Sequence, residues 1–173
     1  MSIVINHLTY AYTQGGKLLD PTLKDLSFTI EEGCFMGIIG HTGSGKSTFV
    51  KHLNGLLPCE KGAVIVDGHD LSQKNERKAV RALVGMVFQY PEYQLFAETV
   101  FEDISFGPKN MKLDEQEIRK RVENAMMLVG LDVARFSNRS PFELSGGERR
   151  RAAIAGVLAM HPKYLVLDEP MAG

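Results

Sequence analysis

Two stretches of the chain end apolar runs with groups suited to phosphate chemistry. One is Gly40-His41-Thr42-Gly43-Ser44-Gly45-Lys46-Ser47; the other is Asp168-Glu169, directly after Leu165-Val166-Leu167. A G-x-x-x-x-G-K-S loop between a strand and a helix turns its backbone N–H groups onto a phosphate chain, because the glycines allow close backbone approach. The dipole of the following helix adds to the attraction. Lys46 would reach the β and γ phosphates as a point charge, and the Ser47 hydroxyl would ligate Mg²⁺. Gly40, His41, Thr42, Gly43, Ser44, Gly45, Lys46, Ser47 and Thr48 are thus the candidate nucleotide cradle, with His41 at a position the pattern leaves variable. If the sheet is parallel, Asp168 and Glu169 sit at its carboxyl edge, where ligands bind. Asp168 would then hold Mg²⁺ directly or through water, and Glu169 would orient and polarise an attacking water. Taken alone, the two acids read equally well as a solvated strand end.

A third motif, Leu144-Ser145-Gly146-Gly147-Glu148, precedes the acidic pair. Ser145 and Glu148 have the composition of a capping box, in which Gly146 and Gly147 merely start a helix. The same geometry leaves helix N-terminal N–H groups able to meet a phosphate, so capping and anion binding are compatible.

In this order the three motifs resemble those of the ATP-binding cassette (ABC) ATPases. The resemblance implies ATP and Mg²⁺ as cofactors. It also implies that Ser145, Gly146, Gly147 and Glu148 contact the γ phosphate of ATP held by a second ABC ATPase subunit, identical or paralogous, in a head-to-tail dimer. Gln89 matches the glutamine that touches Mg²⁺ and the water, and Tyr12 the aromatic that stacks on adenine. The catalytic set is then Glu169, Gln89 and Lys46, and the metal set Ser47, Gln89 and Asp168. On its own chemistry a lone glutamine says little, and a tyrosine in a half-buried strand is more often plain packing. Arg149-Arg150-Arg151 reads as a solvated helix face.

The elements that must position these groups are legible in outline. Residues 3–12 and 23–30 pattern as strands separated by a turn at Gly15-Gly16, and they suggest an antiparallel β layer. Residues 34–39 are continuously apolar apart from Gly37, as in a strand buried on both faces, and run into the glycine loop. A helix is expected over 46–57, short strands over 63–66 and 84–88, and another buried strand over 164–167. Thr99 with Glu102, Asp114 with Glu117 and Ser145 with Glu148 each mark a helix start. In the second of these helices Ile118, Val122, Ala125 and Val129 share a face and Gly130 marks the stop; the third runs to about Met160, before Pro162. The expected fold is an α/β phosphate-loop NTPase of the ABC type: a mixed sheet with a parallel core, an antiparallel β layer and a helical insertion over 99–141. The resemblance implies that all 173 residues belong to one partial ABC domain.

Composition bounds the alternatives. Hydrophobic residues make up 44% and charged residues 24%, an ordinary globular α/β mixture. A formal net charge of -1 from 20 basic and 21 acidic residues argues against a surface built to neutralise nucleic-acid phosphates. This disfavours a soluble ABC ATPase of DNA repair or translation. Cys34 and Cys59 have no metal-ligand spacing, which fits a reducing cytosol. The N-terminus lacks the basic region of a signal peptide. No apolar run approaches the ~20 residues that span a bilayer, so a membrane role would be peripheral.

A closer resemblance spans essentially the whole chain. Phe88-Gln89-Tyr90-Pro91-Glu92-Tyr93-Gln94-Leu95-Phe96, Thr99-Val100, Phe106-Gly107-Pro108-Lys109-Asn110 and Arg139-Ser140-Pro141-Phe142-Glu143-Leu144 resemble the ATPase subunits of energy-coupling factor (ECF) transporters. This implies ATP hydrolysis driving uptake of vitamins or metal ions at the cytoplasmic face of a membrane. The implied partners are a membrane-embedded coupling subunit and a substrate-binding membrane subunit. Residues 90–96, with Tyr90, Tyr93, Leu95 and Phe96, are the expected transporter-facing surface, an ordinary packed loop being the alternative. The family's dimer-contact aspartate and switch histidine have no counterpart before Gly173. Met171 stands where a small or polar residue is usual. The chain accordingly reads as a truncated form of a longer ATPase, weak or inactive alone, and the rival is a nucleotide- and partner-binding fragment without turnover.

Overall fold

The computed structural model describes residues 1–170, so Met171 lies outside the described residues. The chain divides into two compact units, Met1–Val84 and Gly85–Gly173.

In the first unit, strands β1 (Ser2–Tyr10), β4 (Leu23–Glu31), β5 (Val64–Val66) and β6 (His69–Asp70) form one sheet in the order β4-β1-β5-β6, every pairing antiparallel. Ile3, Ile5 and Leu8 of β1 are buried. The step from Ile5 to Leu8 breaks the period of two because the β1–β4 ladder shifts register there, with His7 and Asp25 in left-handed conformations at φ 46° and 50°. A short hairpin, β2 (Thr13–Gln14) and β3 (Lys17–Leu18), turns through Gly15 and Gly16, both at positive φ. Helix α1 (Lys46–Leu53) buries Thr48, Phe49, Val50, His52 and Leu53, and the Phe49 ring packs on Phe28 of β4 at 5.5 Å between centroids. It ends four residues before its expected stop, since Gly55, at φ 68°, turns the chain away. Helix α2 (Lys74–Leu83) has no capping side-chain bond and buries only Val80, so it carries little signal in sequence.

Residues 34–39 depart from expectation. They belong to no ladder, Cys34 is exposed, and Phe35 and Ile39 are each 98% exposed. A segment apolar on both faces becomes a buried strand only when neighbours hydrogen-bond to it from the sides. The first unit's sheet closes as β4-β1-β5-β6 without it.

The second unit pairs β7 (Val84–Val87) with β8 (Tyr164–Leu167). All four β7 residues are buried, whereas β8 alternates, leaving Leu165 and Leu167 half-exposed rather than buried as the sequence suggests. Among the described residues β8 has β7 as its one partner strand. Gly85 is required in β7: a Cβ there would lie 2.7 Å from Pro162 and 2.8 Å from Val157.

Helices α3 (Val100–Asn110), α4 (Glu115–Leu128), α5 (Val133–Phe136) and α6 (Gly146–Leu158) enclose a core in which Ile104, Val122, Ala125, Met126, Ala152 and Ala155 are buried. Thr99, Asp114 and Ser145 all cap as expected, each side chain accepting from the N–H three residues on. The reciprocal bond of a full capping box forms at Ser145 and Glu148.

Candidate functional site

The glycine loop is shaped by local sterics. A Cβ at Gly40 would lie 2.6 Å from the Ser44 hydroxyl oxygen, and one at Gly45 would lie 3.0 Å from the Thr22 carbonyl oxygen. Gly45 also has φ 95° and begins α1, so a side chain there is excluded twice. No side chain caps this helix N-terminus and its first turn carries no acid, which keeps its positive end free of a competing carboxylate. The Lys46 Nζ folds back over the loop and donates to the carbonyls of Gly40 at 2.8 Å and His41 at 3.0 Å. Two of the three ammonium hydrogens are thereby aimed, and the charge is held above the loop. His41 Nδ1 bonds its neighbour's Thr42 carbonyl at 2.8 Å. Tyr12 and Thr48 meet directly, hydroxyl to hydroxyl at 3.1 Å.

In the second unit the structure brings Gln89 to Glu169: Gln89 Nε2 donates to Glu169 Oε2 at 2.9 Å across a separation of 80 residues. Glu169 sits in the left-handed region at φ 49°. That conformation is uncommon for a residue that carries a Cβ. Asp168 is buried, its N–H donating to the Val87 carbonyl at 2.9 Å, so the two acids after β8 are anchored to the end of β7. Arg150 Nη2 donates to the Pro170 carbonyl, tying α6 to the same turn.

At the start of α6, Ser145 N–H and hydroxyl both donate to Glu148 Oε2, at 2.9 and 2.7 Å, while Glu148 N–H donates to Ser145 Oγ at 3.3 Å. The side-chain bond from Ser145 first, then its backbone bond, holds the Glu148 carboxyl below the usual range. Gly146 stands with open space around it, where a Cβ would meet nothing within 4 Å, and a Cβ on Gly147 would make only an ordinary contact with Arg151 Nη1 at 3.7 Å. The first turn of α6 is therefore accessible on its glycine side. Candidate residues thus group as Tyr12 with Gly40 to Thr48 in the first unit, and Gln89, Ser145 to Glu148, Asp168 and Glu169 in the second.

The loop after Gln89 divides by burial. Leu95 is 7% exposed and belongs to the helical core, so its place on the expected surface is corrected: residues 90–96 expose Tyr90, Tyr93 and Phe96 and bury Pro91 and Leu95. Phe96 is 61% exposed and packs edge-to-face on Phe106 of α3, 52% exposed, at 5.0 Å. Asp103 fixes the loop by accepting from the N–H groups of Phe96 and Ala97, both at 2.8 Å. Phe106 lies outside the surface expected from sequence, although a phenylalanine at the end of the second turn after the Thr99 cap was a usable signal. Leu95→Asp is expected to cost at least about 3 kcal/mol of unfolding free energy, because it removes a core side chain and buries a charge. Phe96→Asp should change stability little, and urea unfolding of both variants checks the difference.

A glycine loop opening a helix, an acid pair after a strand and a glycine-started, serine-capped helix are the features of a phosphate-loop nucleotide-binding protein. The comparisons with known proteins narrow that class. The family model described as ABC transporter matches residues 23–172. The chain belongs to the ABC transporter family, and its fold is the α/β fold of ABC ATPases.

The chain is 52% identical to the energy-coupling factor transporter ATP-binding protein EcfA2 of Clostridium tetani over 174 aligned positions, covering 100% of this chain and 60% of that protein. It is 55% identical to EcfA2 of Symbiobacterium thermophilum with the same coverage. Among solved structures it matches cbiO1 of Clostridium perfringens, part of the ABC transporter complex cbiONQ, at TM-score 0.83 and 40% identity over 99% of this chain and 66% of that one. It also matches the dimeric ATP-binding cassette MJ0796 bound to ADP and phosphate, at TM-score 0.83 and 30% identity over 98% of this chain and 74% of that one. The chain thus spans about 60% of the length of the curated relatives it matches. Proteins of this family in general bind ATP with Mg²⁺. No helix among the described residues is long and apolar enough to cross a membrane.

Proposed function

We propose that this chain is part of the ATP-binding subunit of an energy-coupling factor ABC importer, which couples ATP hydrolysis to uptake of vitamins or metal ions. Whole-chain likeness to EcfA2 proteins supports the assignment, and the exposed aromatic surface carries its transport half. Two exposed aromatic pairs, Tyr90 with Tyr93 on a loop whose end Asp103 pins and Phe96 with Phe106 of α3, offer apolar groups of the kind that receive a partner's helix. The partners in this reading are a second ABC ATPase subunit, a membrane-embedded coupling subunit and a substrate-binding membrane subunit. The protein then works peripherally at the cytoplasmic face of the membrane. Residues 99–141 are its helical insertion.

The residues present fit a nucleotide. The loop's steric demand for glycine at Gly40 and Gly45, and the uncapped, acid-free start of α1, suit a triphosphate chain. Gly40 to Thr48 hold the phosphates in this reading, with Lys46 exchanging its two carbonyl partners for phosphate oxygens. Tyr12 offers a ring to the base. Ser47, Gln89 and Asp168 would hold Mg²⁺ directly or through water, and that ion would supply charge neutralisation on the phosphates. Glu169, restrained by Gln89, orients the attacking water. Ser145, Gly146, Gly147 and Glu148 present the start of α6 to nucleotide held by the partner ATPase.

Phe96→Asp combined with Phe106→Asp is expected to abolish copurification of the full-length protein with its membrane subunits while leaving ATP affinity within about twofold, since both side chains are exposed and neither is among the candidate cradle's residues. Recovery of an intact membrane complex by that double variant would overturn the docking assignment.

A further inference from the structure

Tyr12 stands at the centre of a closed circuit of contacts that the nucleotide reading does not use. Its hydroxyl bonds Thr48 Oγ1 on α1 at 3.1 Å. One turn further along α1, the fully buried His52 bonds the Thr48 carbonyl through Nδ1 at 2.8 Å. The His52 ring packs edge-on against Tyr10 at 4.7 Å, and Tyr10 packs edge-on against Tyr12 at 5.0 Å and 88°. The backbone at both tyrosines is pinned separately, with Thr22 N–H donating to the Tyr10 carbonyl at 2.8 Å and Leu19 N–H to the Tyr12 carbonyl at 2.9 Å. What remains free is the angle of the Tyr12 ring, and the circuit removes that freedom. We propose that Tyr10 and His52 are positioning residues for nucleobase recognition, holding the Tyr12 ring at a set angle to the helix that carries the phosphate loop.

The chemistry of each member agrees. Because a carbonyl accepts, His52 carries a hydrogen on Nδ1. Burial first pushes the His52 pKa down, opposed by the Thr48 and Pro58 carbonyls. Burial, and then the neighbouring Tyr12 phenol, push the Tyr10 pKa up. Edge-to-face rings are the favoured arrangement for aromatic pairs. A ring fixed in advance pays no ordering entropy when a base stacks on it, whereas a ring free to swing does.

The inference rests on Tyr12 being the base platform of the nucleotide site. The test compares Mg-ATP with Mg-tripolyphosphate, which has the phosphate chain but no base, by calorimetric titration of the full-length protein. Tyr10→Leu is expected to weaken Mg-ATP roughly threefold to tenfold, part of the usual worth of a base stack, and to leave Mg-tripolyphosphate unchanged. Tyr10→Phe keeps the ring and should bind both like wild type. His52→Leu should repeat the Tyr10→Leu pattern; should it fail to fold, Tyr10→Leu decides alone. Equal weakening of both ligands, or an unchanged Mg-ATP affinity in Tyr10→Leu, would overturn the proposal. Tyr12→Ala and Lys46→Ala separate the causes. Unchanged Mg-ATP binding in Tyr12→Ala alone refutes the platform and the proposal with it, while unchanged binding in Lys46→Ala refutes the nucleotide reading itself.

Discussion

Glu169→Gln in the full-length protein is expected to slow ATP hydrolysis by about 10² to 10⁴, or ~3 to 5 kcal/mol of barrier, the usual worth of general-base help. ATP binding should survive. The substitution is informative because of the contact at Glu169: Gln89 Nε2 donates to its carboxylate at 2.9 Å, and a glutamine carbonyl oxygen can accept the same bond. The side chain then keeps its place and loses its charge, so a fall in turnover reports the carboxylate's chemistry rather than a displaced loop. Phosphate release under single-turnover conditions is the measurement. Wild-type turnover in the variant would assign water activation to another residue.

Lys46→Ala should weaken Mg-ATP binding by at least roughly tenfold to a hundredfold, since hydrogen bonds to a charged group are each worth about 1.5 to 3 kcal/mol. Stability should hardly change. The partners that Lys46 leaves behind, the Gly40 and His41 carbonyls, lie on exposed residues where water replaces the ammonium. An unchanged dissociation constant for ATP would remove Lys46 from the cradle. Together the two substitutions separate the steps, because Lys46→Ala is read in binding and Glu169→Gln in turnover.

Sequence alone determined whatever depends on neighbours in the chain. The three N-caps at Thr99, Asp114 and Ser145 are local hydrogen bonds between residues three apart, and all three form. The antiparallel pairing of β1 with β4 is that of two nine-residue strands close in the chain, separated only by the short β2–β3 hairpin. The Gly40 to Ser47 motif identifies its loop because Gly40 lies against Ser44 and Gly43 and Gly45 take positive φ, a local demand to which Thr22 and Leu23 add a contact at Gly45.

Contacts between residues far apart in the chain were decided by tertiary structure. Residues 34–39 carry the apolar pattern of a buried strand, yet a pattern supplies no hydrogen-bonding neighbour, and the segment stands exposed outside any ladder. Leu95 and Phe96 are adjacent and both apolar, and only the packing of α3, α4 and α6 sends Leu95 into the core and leaves Phe96 outside. Gln89 meets Glu169 across 80 residues, and Tyr12 meets Thr48 across 36, distances over which no periodicity carries information. The residue types able to do chemistry could therefore be read from the chain, because local sterics and capping select them. Which of them touch, and which hydrophobic groups are left for a partner, depended on the fold, because burial is a property of the packed whole.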